Sequence, residues 1–295
     1  MVYPRPDLRV GPYPLRPSPI FDLPNHDTRL LAKPIRGDPN SILVLKDTIS
    51  MPSKRTMLLT GASRGIGHAT VKLFDQQGWR VLTVSRMRFD PACPWPGGAE
   101  NHIQADLSDP QAYTALVGDV RNRLGGAGLD ALVNNAGISP KMEDGGRMGA
   151  LQTDYAIWLN VFNVNLFAIA SLGKNLFPEL RAVGGTIVNV TSIVGSRVHP
   201  FAGAAYACSK AALAALTREQ AYDFGRHGVR VNAIAPGEID TSILSAGTED
   251  IVDNQIPMHR LGEPHEVAQT ILFLCSPAAS YINGAEIHIN GGQHV

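Results

Sequence analysis

Tyr206 and Lys210 stand four residues apart in FAGAAYACSKAAL, an Ala-rich run that favours helix. At that spacing two side chains stack on one helix face about one turn apart. A phenol normally loses its proton near pH ~10, and a neighbouring ammonium favours the phenolate. Such a pair can exchange a proton with an alcohol or a ketone near neutrality. An ordinary pair on a helix surface has the same spacing, so the rest of the chain has to decide.

A second chemical signal is Thr60-Gly61-Ala62-Ser63-Arg64-Gly65-Ile66-Gly67, which follows an apolar run and opens a helical one. Glycines there let backbone amides approach a pyrophosphate, and the helix N-terminus adds partial positive charge. The spacing is G-x-x-x-G-x-G, so the strand before it and the helix after it carry much of its meaning.

Positioning these residues requires a framework. Strands are expected at Thr56–Thr60, Arg80–Ser85, His102–Gln104, Ala131–Asn134, Thr186–Val190, Arg230–Ile234 and Glu286–Ile289. Helical patterns lie between them, at about 65–78, 110–124, 153–182, 205–226 and 264–275. This alternation predicts an α/β fold: a single doubly wound Rossmann domain over 55–295 with a mainly parallel seven-stranded sheet. Continuous apolar strands such as Met57-Leu58-Leu59 suit a sheet covered on both faces. Ten of the 21 prolines precede Lys54, so residues 1–54 read as an extended or disordered arm. Met51 is an alternative translation start, which would leave a compact domain.

With the framework drawn, the chain resembles the short-chain dehydrogenase/reductase family, in the group that includes 3-oxoacyl-carrier-protein reductases. The likeness spans about residues 55–292 and rests on motifs in family order: TGASRGIG at 60–67, Asp106 in QADLSD, NNAG at 134–137 and Asn165 in FNVNLF. It continues through Ser192 in IVNVTS, Tyr206-x-x-x-Lys210, and Pro236-Gly237 with Thr241 in APGEIDT. The resemblance implies a catalytic tetrad of Asn165, Ser192, Tyr206 and Lys210. In it Ser192 holds the substrate oxygen, Tyr206 moves the proton, Lys210 lowers the Tyr206 pKa and meets the nicotinamide ribose, and Asn165, through its backbone or its side chain, helps hold a water feeding Lys210. Ser192 closes an apolar strand, where open α/β sheets place ligands. Thr191 and Ser196 are rival hydroxyls, and strand alternation with family register favours Ser192.

The resemblance also implies a cofactor site. Gly61, Ser63, Arg64, Gly65, Ile66 and Gly67 form its phosphate loop. Asp106, with Leu107 beside it, meets the adenine. Asn134, Ala136 and Gly137 form the wall behind the adenosine half, and Pro236, Gly237, Ile239 and Thr241 grip the carboxamide. NAD-using relatives usually end the second strand with an acid that holds the ribose 2′-hydroxyl. Here Thr83-Val84-Ser85-Arg86 has none before Asp90. Arg86, Arg64 and the Ser85 hydroxyl suit a 2′-phosphate, so NADP(H) is the expected cofactor. The expected substrate is a small carbonyl or alcohol. Alternatives are an NAD-linked alcohol or sugar dehydrogenase and a non-catalytic nucleotide-binding protein.

Around the expected pocket, Arg197 and His199 either meet an anionic substrate or serve as rim charges and partners of loop carbonyls, and Glu238, at a position often apolar in this group, signals either a polar substrate or a loop hydrogen bond. Ser242–Asn254 is expected to be a lid and Ser139–Gln152 an entrance loop. The resemblance implies a homotetramer, or at least a homodimer, through the long helices and the last strand.

Composition narrows the field. Lys+Arg and Asp+Glu balance at 26 each, which gives no global field for nucleic acid or an anionic membrane. Cys93, Cys208 and Cys275 show neither metal-ligand spacing nor a disulfide framework, so no metal is expected. No uncharged apolar stretch is expected to approach the ~20 residues that span a bilayer. The expectation is a soluble, cytoplasmic protein without nucleic-acid or membrane partners.

Overall fold

Runs of β-branched and apolar residues build the sheet in the computed structural model, which describes residues 54–93, 95, 97–241, 244 and 247–295. The strands are β1 (Thr56–Thr60), β2 (Arg80–Ser85), β3 (His102–Gln104), β4 (Ala131–Asn134), β5 (Thr186–Val190), β6 (Arg230–Pro236) and β7 (Glu286–Ile289). They form one sheet in the order β3-β2-β1-β4-β5-β6-β7, and every pairing is parallel. Only β6 outruns its predicted end, by carrying Ala235 and Pro236 alongside β7. The arm expected over 1–54 lies, Lys54 apart, outside the described residues.

Parallel strands require crossovers, and the helices supply them on both faces. They are α1 (Gly65–Gln76), α2 (Ala112–Leu124), α3 (Tyr155–Phe162), α4 (Ala168–Asn175), α5 (Phe177–Val183), α6 (Ala204–Gly225), α7 (Thr248–Gln255) and α8 (Pro264–Leu274). Alternate strand residues divide between two cores. Leu58, Leu82, Leu132, Ile187 and Val231 pack with α2, α4 and α6 residues such as Leu116, Leu172 and Ala221. Met57, Leu59, Val133, Val188 and Ile234 pack with Val71 and Phe74 of α1 and Val267 and Ile271 of α8. Period-two alternation with apolar residues on both sides is what a doubly covered sheet demands.

The helix expected over 153–182 is interrupted. A π-helical turn, Asn163–Phe167, joins α3 to α4, and the Ala168 amide reaches back to the Asn163 carbonyl. By length and composition the run Tyr155–Asn175 would suffice to cross a membrane, contrary to the sequence expectation. Here Val161, Val164, Asn165, Ala168, Ile169 and Leu172 are buried in the protein instead. The expected lid also differs. From Thr248 it is helical, with Ile251 buried, while 242, 243, 245 and 246 lie outside the described residues.

Candidate active site

The loops after β1, β4, β5 and β6 meet at the carboxyl ends of the strands, where the strand order switches direction between β1 and β4. Gly61 begins the first loop at φ 72°, and a Cβ there would stand 2.8 Å from Ala136 Cα. A Cβ on Gly67 would fall 2.1 Å from the Gly61 carbonyl oxygen, so the turn closes only around glycine. The second loop braces the first. Thr60 Oγ1 accepts the Asn135 and Ala136 amides at 3.2 and 3.1 Å, and Asn135 Nδ2 donates to the Gly61 carbonyl at 2.9 Å.

Helix α1 starts after Arg64 with no side chain capping it and no acid in its first turn. Its amides and the positive end of its dipole are therefore available to an anion. Ser63, Arg64 and Arg86 are exposed around this end, with Gly65 and Ile66 half-buried. Ser85 donates to the Met87 carbonyl at 2.9 Å. Asp106 is held below the usual carboxyl range by the Ser108 amide and hydroxyl, with a further pull from Arg86. Leu107 is buried beside it. Asn134 turns inward, donating to Asn189 Oδ1 at 2.8 Å, and supports the wall from within the core. The second Asn of NNAG, Asn135, does the bracing described above, a role the sequence reading did not assign.

Tyr206 and Lys210 lie on α6 as their spacing predicts, with the Lys210 ammonium 5.7 Å from the Tyr206 ring centroid. Ser192 caps a short 3₁₀ turn after β5, where its Oγ accepts the Val194 amide at 3.4 Å, and it stands near enough to Tyr206 to pull the phenol's pKa down. The rival hydroxyls point elsewhere. Thr191 donates to the Ile234 carbonyl at 2.8 Å and pairs with Glu286 at 2.6 Å, while Ser196 donates to the Ile193 carbonyl at 3.0 Å.

Lys210 is 3% exposed and donates to the Val190 carbonyl at 2.6 Å. Burial holds its amine down at about 8. Burial also raises the Tyr206 phenol; the Ser192 hydroxyl opposes the rise and the nearby Glu238 charge adds to it. The expected direction for Tyr206 is thereby corrected. Loss of hydration outweighs an ammonium whose own bond goes to Val190.

Asn165 lies in the π-helical turn, fully buried. It accepts the Ile138 amide at 2.9 Å and donates to the Ile138 carbonyl and Ser209 Oγ, both at 3.0 Å. Its side chain is thus occupied by protein, which leaves the backbone as the part of Asn165 that could hold the expected water. Ser209, unassigned in the sequence reading, ties Asn165 to α6 and donates to the Tyr206 carbonyl at 2.7 Å. A Cβ on Gly137 would stand 3.4 Å from Lys210 Nζ and 3.5 Å from Asn165 Oδ1, ordinary contact distances that set this loop against both residues.

On the substrate side, His199 Nε2 meets Glu238 Oε1 at 2.7 Å, with both side chains largely buried. Arg197 donates to the Gln293 carbonyl at 2.6 Å and to Gln255 Oε1 at 3.1 Å, which makes it a rim tie. The entrance loop is clamped onto the segment before α6. Lys141 donates to the Phe201 carbonyl, and Arg147 to the Ala202 carbonyl at 2.9 Å. Pro236, Gly237, Ile239 and Thr241 continue from β6, and a Cβ on Gly65 would stand 3.1 Å from Thr241 Cγ2. The backbone of this stretch pairs with Gly262 on both sides of Ile239. Among the described residues no cluster of three His, Cys, Asp or Glu side chains is arranged to hold a metal.

Comparison with known proteins places this geometry. Residues 61–294 match the family described as Enoyl-(Acyl carrier protein) reductase. The chain is 58% identical to Protein FixR of Bradyrhizobium diazoefficiens over 242 residues, covering 82% of this chain and 87% of that one. It is 33% identical to the 3-oxoacyl-[acyl-carrier-protein] reductase FabG of Vibrio cholerae over 248 residues, covering 82% and 98%. A Brucella ovis oxidoreductase of the short chain dehydrogenase/reductase family, in complex with a partially ordered NAD, superposes with a TM-score of 0.70. That structure is 55% identical and covers 81% of this chain and 100% of its own.

Proposed function

This chain belongs to the short-chain dehydrogenase/reductase family, and from that we propose that it interconverts a carbonyl and an alcohol with NADP(H), using Tyr206 as general acid/base. The observation that carries the reading is the meeting of Ser192 and Tyr206 over a buried Lys210. A phenol raised by burial is protonated at neutrality, which suits it to donate to a developing alkoxide. Ser192 orients the substrate oxygen toward it. Lys210, poised at about 8, can return the proton to Tyr206 and reach a ribose hydroxyl. Asn165 acts by fixing the π-helical turn and, through Ser209, the first part of α6.

The residues present fit a dinucleotide. The uncapped α1 terminus offers amides to the pyrophosphate, Asp106 and Leu107 border the adenine position, and Pro236–Thr241 borders the carboxamide position. When bound, the nicotinamide supplies or accepts the hydride. Arg64 and Arg86, both exposed, and Ser85 favour a 2′-phosphate. The second reading, NAD, is favoured by the NAD in the Brucella ovis structure and by the attraction of Arg86 toward Asp106.

We place the protein in the cytoplasm as a homotetramer or homodimer. The exposed Tyr155, Leu159 and Phe167 on the α3–α4 run and Tyr222 on α6 support assembly. The deciding experiment is a panel of ketones and alcohols followed at the reduced-nicotinamide absorbance, for the wild type and Tyr206→Phe. Turnover should fall by ~10²–10⁴-fold in the variant, with cofactor affinity retained. Undiminished activity in Tyr206→Phe would overturn the assignment. A wild type that binds cofactor yet reduces nothing would favour a nucleotide-binding role.

A further inference from the structure

Glu238 and His199 are 39 residues apart in sequence and belong to loops after different strands, β6 and β5. The fold brings them together, within reach for the Glu238 charge to act on the Tyr206 phenol. His199 is 6% exposed and Glu238 12%, so the pair is no rim ornament. The Phe201 amide donates to His199 Nδ1 at 3.2 Å. That nitrogen therefore carries no proton, and Nε2 is the one that donates to Glu238 Oε1. Glu238 is left as a carboxylate with one oxygen engaged. The hydrogen bond recorded for this carboxylate runs through Oε1.

The carboxylate is held rigidly. Its own carbonyl accepts the Gly262 amide at 2.9 Å, and the Asp240 amide donates to the Gly262 carbonyl at 2.8 Å. Its charge is felt by two groups facing it, the Tyr206 phenol and the Lys141 ammonium. Lys141 in turn donates to the Phe201 carbonyl, so the cation is anchored on the same loop as His199.

Building on the hydride-transfer reading, we propose that Glu238, positioned by His199, selects substrates carrying a hydroxyl or ammonium close to the reacting carbon. A fixed, partly desolvated acceptor rewards a donor and penalises whatever cannot donate. An alkyl group against Oε2 strips its remaining water and returns nothing. Plain acyl and alkyl ketones are the disfavoured class.

The test compares matched pairs that differ only in the donor: 1-hydroxy-2-butanone against 2-butanone for reduction, and 2-aminocyclohexanol against cyclohexanol for oxidation. In the wild type kcat/KM should favour the donor-bearing member by at least about tenfold. Glu238→Leu should bring that ratio toward one through loss on the donor-bearing member, with folding checked by cofactor titration. If Glu238→Leu does not bind cofactor, the isosteric Glu238→Gln carries the comparison; a reduced ratio supports the proposal and an unchanged one overturns it. His199→Gln, which can still present an N–H to Oε1, should keep the preference, whereas His199→Leu should lose it. A purely structural role would slow both members of each pair alike and leave the ratio untouched. A wild-type ratio near one overturns the inference and leaves hydride transfer standing. No turnover of any member by protein that binds cofactor overturns the hydride-transfer reading, and this inference with it.

Discussion

Lys210→Met tests the electrostatics of the site independently of any substrate. In the folded protein the Lys210 amine titrates at about 8, against 10.5 for an ordinary lysine, because burial disfavours its charge. Between those values the unfolded chain binds the proton and the folded protein does not, so stability rises with pH. The benefit is complete above 10.5 and is lost as pH falls through about 8. The separation of 10.5 − 8 = 2.5 units, at ~1.36 kcal/mol each, amounts to about 3 kcal/mol. Integrating the two titrations from pH 7 to pH 9.5 recovers about 2 kcal/mol of it. Urea unfolding of wild type and variant at fixed protein concentration should show their stability difference moving by that amount in favour of the wild type as pH rises. Methionine fills a similar volume without a charge, so the other titrating groups largely cancel in the difference. A pH-independent difference would show that the lysine is hydrated in solution, and the account of its burial would fail.

Three other perturbations address the cofactor loop and the arm. Arg86→Asp should weaken NADPH binding and improve NADH binding, read by fluorescence titration; wild-type affinity for NADH equal to or above that for NADPH would refute the cofactor assignment. Gly67→Ala places a methyl 2.1 Å from the Gly61 carbonyl oxygen, so cofactor affinity should drop at least about tenfold, and unchanged affinity would mean the loop can relax. A chain beginning at Met51 should bind cofactor and melt within a few degrees of the full chain, because ordering a proline-rich arm costs ~1–2 kcal/mol per residue of backbone. Aggregation, or a smaller assembly by size exclusion, would show the arm to be structural.

Strand positions were legible in the sequence because buried parallel strands are short, continuous and β-branched, and glycines or polar turns bound them. The interruption at Asn163–Phe167 was not, since the apolar pattern runs through it unbroken. Its cause is tertiary. Asn165 spends its side chain on both backbone groups of Ile138, 27 residues away. Tyr206 and Lys210 were legible from spacing, but spacing carries no dielectric, and the direction of the phenol's shift was misread for that reason. Asn135 lay in a recognised motif and was passed over for its neighbour. His199 and Glu238 each read, alone, as a substrate-side residue or a loop tie, and only the sheet that sets β5 beside β6 makes them a pair.

The strand order also bears on how such a sheet can be made during synthesis. Among the described strands the first to leave the ribosome, β1, ends up inside the sheet with neighbours on both sides. β2 then adds to one of its edges and β3 to the edge of β2, after which β4 takes the opposite edge of β1 and β5, β6 and β7 follow outward. Every strand thus finds an edge already present, and none must wedge between two paired neighbours. A sheet dominated by contacts distant in sequence, ordinarily slow to form, can in this order grow at the pace of translation.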